Sequence, residues 1–422
     1  MRLVVLVFFV AACSPALRIK KDIKNMEATQ QDHIGFLLYD PVSKKNLIQH
    51  NDARYFTPAS NTKILTLYAS LKLLGDSIST LAYVQRNDST IFWGLGDPSF
   101  LNPLCHSNPR VFEFLQKTTG KLVFSAANFN TTALGNGWSW DDYNYSYSAE
   151  RTPLTIYGNL ITVKKTSDGL KTEPKFFEQH LVKATDKKEY EEVVRDVDDN
   201  QLVYYPGQKQ MKQQEIPFHF SGDLMADLLT DTIKRQVEFF NIPFQRGKVL
   251  KSVPVDSVYR VMMQESDNMM AEQLLLQCAA VVSDTLQPEI AIRYVAKNWL
   301  STLPDKLKWV DGSGLSRFNL FTPRSIANVW ERLYAEVPRE RLFKIVAVGG
   351  QSGTLRNHYK SSTPYIYGKT GTLSNNHSLS GYLITKKGKT LIFSWMNNSF
   401  VTPTSEVRKG MERMLARIRD QY

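Results

Sequence analysis

Residues 58–75 (PASNTKILTLYASLKLLG) constrain the fold more than any other stretch of the chain. Ile64, Leu65, Leu67, Tyr68, Leu71 and Leu74 recur at three- and four-residue spacing, which predicts one helix with a broad buried face. Pro58 suits its start and Gly75 its stop. Ser60 and Lys63 are three apart and project from the same side of the first turn. That turn carries unpaired backbone N–H groups and the positive end of the helix dipole. A serine there, one turn from an amine, reads as a nucleophile with its base.

With 422 residues there is room for two or three domains around such a helix. The net charge of +11 comes with no arginine-rich run and no nucleic-acid motif. It reads as a diffuse basic surface suited to anionic wall polymer or lipid head groups, and no nucleic-acid partner is expected. Arg2 precedes an apolar run over 3–12, far too short to span a bilayer. The run ends Val10-Ala11-Ala12-Cys13, which resembles a bacterial lipobox. We therefore expect a signal peptide over 1–12, a lipid on Cys13, and an exported protein anchored to a membrane. A plain secretory signal is the alternative. Residues 13–30, with Arg18, Lys20, Lys21 and Lys24, read as a polar tether. Cys105 and Cys278 make no disulfide framework, and Cys278 lies on an apolar helical stretch that suits a buried thiol.

The remaining pattern is α+β. A hairpin is expected over 33–50. Residues 83–240 read as an inserted, mostly β domain, with strand-like runs at 89–93, 121–124 and 160–163. Its most charged part, 183–199, reads as a solvated face. Helical periodicity marks 221–240, 269–282 and 322–334, the last with Pro323 at its start. Strands are expected at 365–368, 379–385 and 390–396, and a closing helix at 406–418. Segments 31–82 and 241–422 would together form one sheet flanked by helices.

Ser60-x-x-Lys63 alone is a chance-level motif. Ser266-Asp267-Asn268, ahead of the 269–282 helix, could be no more than an N-cap. Lys369-Thr370-Gly371-Thr372 could be a turn with a surface lysine, although glycine in a strand often marks the close approach of another backbone, such as a peptide substrate. The three in this order resemble the signature of the penicillin-recognising serine acyltransferases. With Gly94-Leu-Gly-Asp-Pro-Ser, Gly137-Trp-Ser-Trp-Asp-Asp, Asp311-Gly-Ser-Gly-Leu-Ser-Arg and Gly349-Gly-Gln-Ser-Gly-Thr-Leu, the chain resembles the D-alanyl-D-alanine carboxypeptidase/endopeptidases of the class C, low-molecular-mass penicillin-binding proteins. The resemblance implies a transpeptidase-type antiparallel sheet with an inserted domain. It also implies peptidoglycan stem peptides as substrate and β-lactams as covalent inhibitors. Residues 147–153 match the family only loosely.

The expected roles follow. Lys63, neutral, takes the proton of Ser60. Ser266 relays it to the leaving amine, and Asn268 binds an amide of the acyl portion. Backbone N–H groups of Ser60 and Thr372 form the oxyanion hole. Lys369, Thr370 and Thr372 receive the terminal carboxylate, while the peptide pairs with the strand that carries Gly371. No cofactor is implied. The seven histidines are scattered without metal-ligand spacing, and His358 and His377 read as surface-loop residues. A β-lactamase or esterase, or a non-catalytic wall-binding lipoprotein, are the alternatives. The long insertion and the intact motifs favour the peptidase.

Overall fold

The computed structural model describes residues 15–105 and 108–422. The signal peptide of 1–12 and the lipidation site at Cys13 lie outside the described residues. Six strands form an antiparallel sheet in the order Ala347–Val348, Ile366–Leu373, Asn376–Ile384, Thr390–Asn398, His33–Asp40, Lys45–His50. The two ends of the chain thus meet in one sheet, with His33 opposite Asn398. Alternation divides its side chains between two cores. Phe36, Leu38, Phe393 and Trp395 face the helices Pro15–Gln30 and Thr404–Gln421. Leu37, Ile392 and Met396 face the helices Lys63–Leu73 and Pro323–Glu336, with Asn268–Ser283 behind them. Among the described residues no helix is long and apolar enough to cross a membrane.

Residues 15–30 form a helix where a tether was expected. Ile19 and Ile23 are fully buried, with Ala16 and Met26 beside them. This apolar stripe is masked in the sequence by Arg18, Lys20, Lys21 and Lys24, all exposed on the other faces.

A second sheet runs Val237–Phe239, Lys121–Ser125, Ser89–Gly94, Ser77–Arg86, Lys248–Pro254. Its strands Ser77–Arg86 and Lys248–Pro254 pair with each other, so the chain leaves and returns side by side. Smaller sheets and a separate core around Phe92, Phe124, Ile161, Phe218 and Leu229 complete the segment. The interval read as 83–240 lies within the 77–254 span that this sheet closes.

Two local expectations change. The 221–240 helix covers only Gly222–Ile233, capped by Ser221, whose Oγ accepts from the Leu224 N–H; Lys234 then turns left-handed and Val237–Phe239 is a strand. Segment 183–199 is not solvated throughout. Arg195 is buried, and its guanidinium donates to the carbonyls of Pro217, Asp196 and Asp199. Backbone oxygens, invisible to a charge count, take up that cation.

Candidate active site

The Ser60 helix is two pieces. Ala59–Thr62 is a 3-10 turn, and the α-helix runs from Lys63 to Leu73, where Leu74 turns extended without a left-handed glycine. Ala59 takes a φ of +49°, a conformation that L-residues hold only where their surroundings dictate it. Those surroundings are visible. Asn61, fully buried, donates from Nδ2 to the Lys369 carbonyl (3.0 Å) and to Ser378 Oγ (2.8 Å), while its Oδ1 accepts from Ser380 Oγ. Ser378 Oγ in turn donates to the Pro58 carbonyl (2.7 Å). On the other side, the loop Asp311-Gly-Ser-Gly presses on the turn: a Cβ at Gly314 would lie 2.0 Å from the Ala59 carbonyl oxygen. Ser60 is left partly accessible on a turn clamped from two sides.

Lys63 is fully buried. Its Nζ lies 3.0 Å from Ser60 Oγ, 2.6 Å from Asn268 Oδ1 and 2.7 Å from the Ser313 carbonyl. Burial pushes the amine down from its ordinary 10.5 to about 8, against the opposing pull of the Asp267, Asp311 and Glu272 carboxylates.

Ser266 and Asn268 flank the start of the Asn268–Ser283 helix. The capping role falls to Asp267, whose side chain accepts from the Met270 N–H at 2.7 Å. Ser266, at φ +64°, is thereby free to accept from Lys369 Nζ (2.7 Å). The Asn268 amide is turned so that Oδ1 meets Lys63 and Nδ2 donates to the Tyr147 carbonyl (2.8 Å), leaving one N–H for an incoming amide.

Lys369, Thr370, Gly371 and Thr372 lie within the Ile366–Leu373 strand, longer than the expected 365–368. Lys369 is fully buried and donates to Ser266 Oγ and to the Thr370 carbonyl (2.7 Å each); burial, then Lys63, hold its amine well below the ordinary lysine range. The backbone that approaches Gly371 belongs to the chain itself. A Cβ there would lie 2.8 Å from Ser60 N, which brings the strand and the Ser60 turn together.

Ser60, Ser266, Thr370 and Thr372 open onto a cleft of about 190 Å³. Thr354, His377 and Arg408 are among its lining residues that were not foreseen. Thr354 Oγ1 accepts from Thr370 Oγ1 (2.7 Å). His377, read as a surface residue, is buried on the Asn376–Ile384 strand with Nδ1 2.8 Å from Thr372 Oγ1. Burial and then Arg408 push its imidazole down to about 3, so it is neutral at physiological pH. Arg408, from the Thr404–Gln421 helix, donates to Thr372 Oγ1 at 3.4 Å, and among the described residues no carboxylate forms an ion pair with it. Nothing in its sequence context, an amphipathic helix with several other basic residues, marks it for the cleft. Among the described residues no group of three or more His, Cys, Asp or Glu side chains is placed to hold a metal.

The profile of the D-Ala-D-Ala carboxypeptidase 3 (S13) family matches residues 17–420. The chain belongs to that family. Similar relatives include D-alanyl-D-alanine carboxypeptidase DacB of Haemophilus influenzae, 21% identical with 93% of this chain and 92% of the relative covered. Penicillin-sensitive carboxypeptidase A of Dictyostelium discoideum is 25% identical over 80% of this chain and 76% of its own. Among solved structures, penicillin-binding protein 4 from H. influenzae matches with a TM-score of 0.76 at 19% identity, covering 94% of this chain and 98% of that one. A predatory peptidoglycan endopeptidase from Bdellovibrio bacteriovorus matches with a TM-score of 0.54 at 14% identity, over 91% and 93%. Both structural likenesses carry the fold, an α+β penicillin-binding-protein architecture with further sheets added. As an S13 member the chain is a serine-type D-Ala-D-Ala carboxypeptidase, a hydrolase.

Proposed function

We propose that this S13 carboxypeptidase removes the terminal D-alanine of peptidoglycan stem peptides through an acyl-enzyme on Ser60, and opens D-alanyl cross-links by the same steps. The observation that carries the reading is the setting of Lys63. A neutral amine has two N–H groups and one lone pair. Asn268 Oδ1 and the Ser313 carbonyl accept the two N–H groups, which leaves the lone pair for the Ser60 hydroxyl 3.0 Å away.

Ser60 Oγ bonds to the carbonyl carbon of the penultimate D-alanine while its proton passes to Lys63 Nζ. The Ser60 and Thr372 N–H groups meet the oxyanion. The C–N bond then breaks, and the leaving amine takes its proton from Lys63 by way of Ser266. Water adds to the acyl carbon, its proton returns to Ser60 Oγ, and the shortened peptide leaves as a carboxylate. Lys369, Thr370, Thr372 and Arg408 hold the carboxylate of the leaving residue. A cross-link presents the same carboxylate beside its leaving amine, so one pocket serves both cleavages.

Export with a lipid on Cys13 puts the enzyme beside this substrate. The H. influenzae protein has been crystallised with a β-lactam, and we extend that chemistry here to acylation of Ser60 by penicillin. The carboxylates acting on Lys63 are poor candidates for activating a deacylating water. Asp267 caps its helix through the Met270 N–H, Glu272 is occupied by Arg151 and the Ser313 N–H, and Asp311 by the N–H groups of Gly314, Ser316, Asn319 and Trp138. The β-lactamase reading is therefore the weaker one. Fluorescent penicillin and purified peptidoglycan test the proposal. The wild type should label and release D-alanine, and Ser60→Ala should do neither. Trimming by Ser60→Ala, or rapid turnover of a cephalosporin by the wild type, would refute it.

A further inference from the structure

Behind Lys63 lies an ion pair that none of the steps above uses. Arg151 and Glu272 are 3% and 1% exposed. Arg151 donates from Nε (2.9 Å) and Nη2 (2.7 Å) to Glu272 Oε2, and its guanidinium lies 5.3 Å from the centre of the Trp138 ring. Glu272 Oε1 accepts from the backbone N–H of Ser313 at 2.7 Å. The carbonyl of that same residue accepts from Lys63. The other end of the turn is held by Asp311, which accepts from the N–H groups of Gly314 and Ser316 and from the Trp138 indole. A chain of bonds therefore runs from Arg151, in the segment 77–254, through Glu272 and the backbone of the single residue Ser313 to the Lys63 amine.

We infer that Glu272, fixed by Arg151, is a positioning residue for acylation: it holds the Ser313 carbonyl on Lys63, and so aims the Lys63 lone pair at Ser60. The inference rests on the reading of Lys63 as base. Of the two acceptors that claim the Lys63 N–H groups, Asn268 is fixed by the Tyr147 carbonyl and Ser313 by Glu272. Releasing either lets the amine rotate, and a misdirected lone pair loses the alignment that an intramolecular proton transfer requires. Arg151 has a second effect. Glu272 alone would stabilise the Lys63 ammonium, and a paired guanidinium offsets that field. The charged and titratable groups facing Lys63 are Asp267, Glu272 and Asp311, which favour its cation, and Lys369, which disfavours it.

Removing one partner of a buried pair is costly, whereas replacing both by neutral groups of similar size is tolerated. Two double variants therefore isolate the contact. Arg151→Met/Glu272→Gln keeps an acceptor for the Ser313 N–H; Arg151→Met/Glu272→Met does not. The readout is single-turnover acylation by fluorescent penicillin, separated into a binding constant and a maximal rate, with thermal melting in parallel. The Gln variant should acylate within about threefold of the wild type. The Met variant should lose about tenfold or more in maximal rate with its binding constant unchanged. Equal rates in the two overturn the inference. If the Met variant does not fold, Arg151→Met/Glu272→Asn decides: its amide is one methylene shorter and withdraws the acceptor from the Ser313 N–H, so its maximal rate should fall about tenfold below that of the Gln variant, and equal rates overturn the inference. A wild type that penicillin never labels refutes instead the function on which the inference rests.

Discussion

Gly371→Ala is the most direct probe of the proposed oxyanion hole. A Cβ at this position would lie 2.6 Å from Ser378 Oγ, 2.7 Å from the Pro58 carbonyl oxygen and 2.8 Å from Ser60 N. Ordinary contact begins near 3.4 Å, so strand and turn must separate by roughly 0.6 Å or more. Neither side can yield cheaply, because Ser378 and Asn61 stitch the same turn to the same sheet. The displacement falls between the two N–H donors of Ser60 and Thr372, whose value depends on lying about 2.7–3.1 Å from the oxyanion. Loss of one donor costs about 100- to 1,000-fold in acylation, and the overpacking about 1–3 kcal/mol in stability. Stopped-flow acylation by penicillin, with thermal melting in parallel, separates the two effects. Gly75→Ala is the control, since a Cβ there meets nothing within 4 Å and the backbone has no left-handed φ. A folded Gly371→Ala enzyme that acylates within about threefold of wild type would refute the assignment of this strand to the oxyanion hole.

Three further outcomes are expected. With Lys63 titrating at about 8 and acting as its free amine, wild-type acylation should rise about tenfold per pH unit up to that point and level above it; a flat profile between about pH 6 and 8 would exclude Lys63 as the base. Arg408→Ala should raise KM about tenfold or more for acyl-D-Ala-D-Ala, the loss of one charge-assisted contact, and leave the C-terminal amide of the same peptide little changed. Equal losses on acid and amide would deny Arg408 a carboxylate-reading role. Ile19→Ala with Ile23→Ala should destabilise the protein by about 4 kcal/mol or more, because both side chains are fully buried, whereas substitutions in a mere tether would leave the melting temperature unmoved.

What was legible in the sequence was periodic or adjacent. The hairpin at 33–50, the helix after Thr322 and the strands around Lys387-Gly388 each carry their pattern within a dozen residues, and each forms as read. Ser60 with Lys63, and Ser266 with Asn268, are close enough in sequence for their shared turn to be inferred. Arg151, Glu272, Ser313 and Arg408 were not legible, because their meaning is a contact across the fold. Glu272 sits mid-helix among apolar residues, where only burial shows that it needs a partner. His377 misled for a related reason: a histidine after Ser374-Asn375-Asn376 looks like part of a loop, yet the strand already begins at Asn376. The 15–30 helix was hidden by composition, since four basic residues outweigh a stripe of two isoleucines.

The same distance dependence explains the shape of the site. A serine and a lysine on one exposed turn would be inert, because a hydrated ammonium near 10.5 has no lone pair to offer at physiological pH. Lowering Lys63 to about 8 means excluding water from its amine, and that requires walls from elsewhere: the Asn268 helix, the Asp311 loop, and the Lys369 strand. The shift corresponds to roughly 3 kcal/mol against folding. The unfolded chain holds this proton more tightly than the folded one, so the penalty is complete below about pH 8 and fades only as the pH rises toward 10.5. A short helix cannot bear that cost alone. Lys63 through Ser70 are all buried, and the apolar members of that run pack into the core shared by both halves of the peptidase sheet. The hydrophobic face that first marked residues 58–75 as a helix is therefore what offsets the cost of burying an amine whose pKa is lowered to about 8.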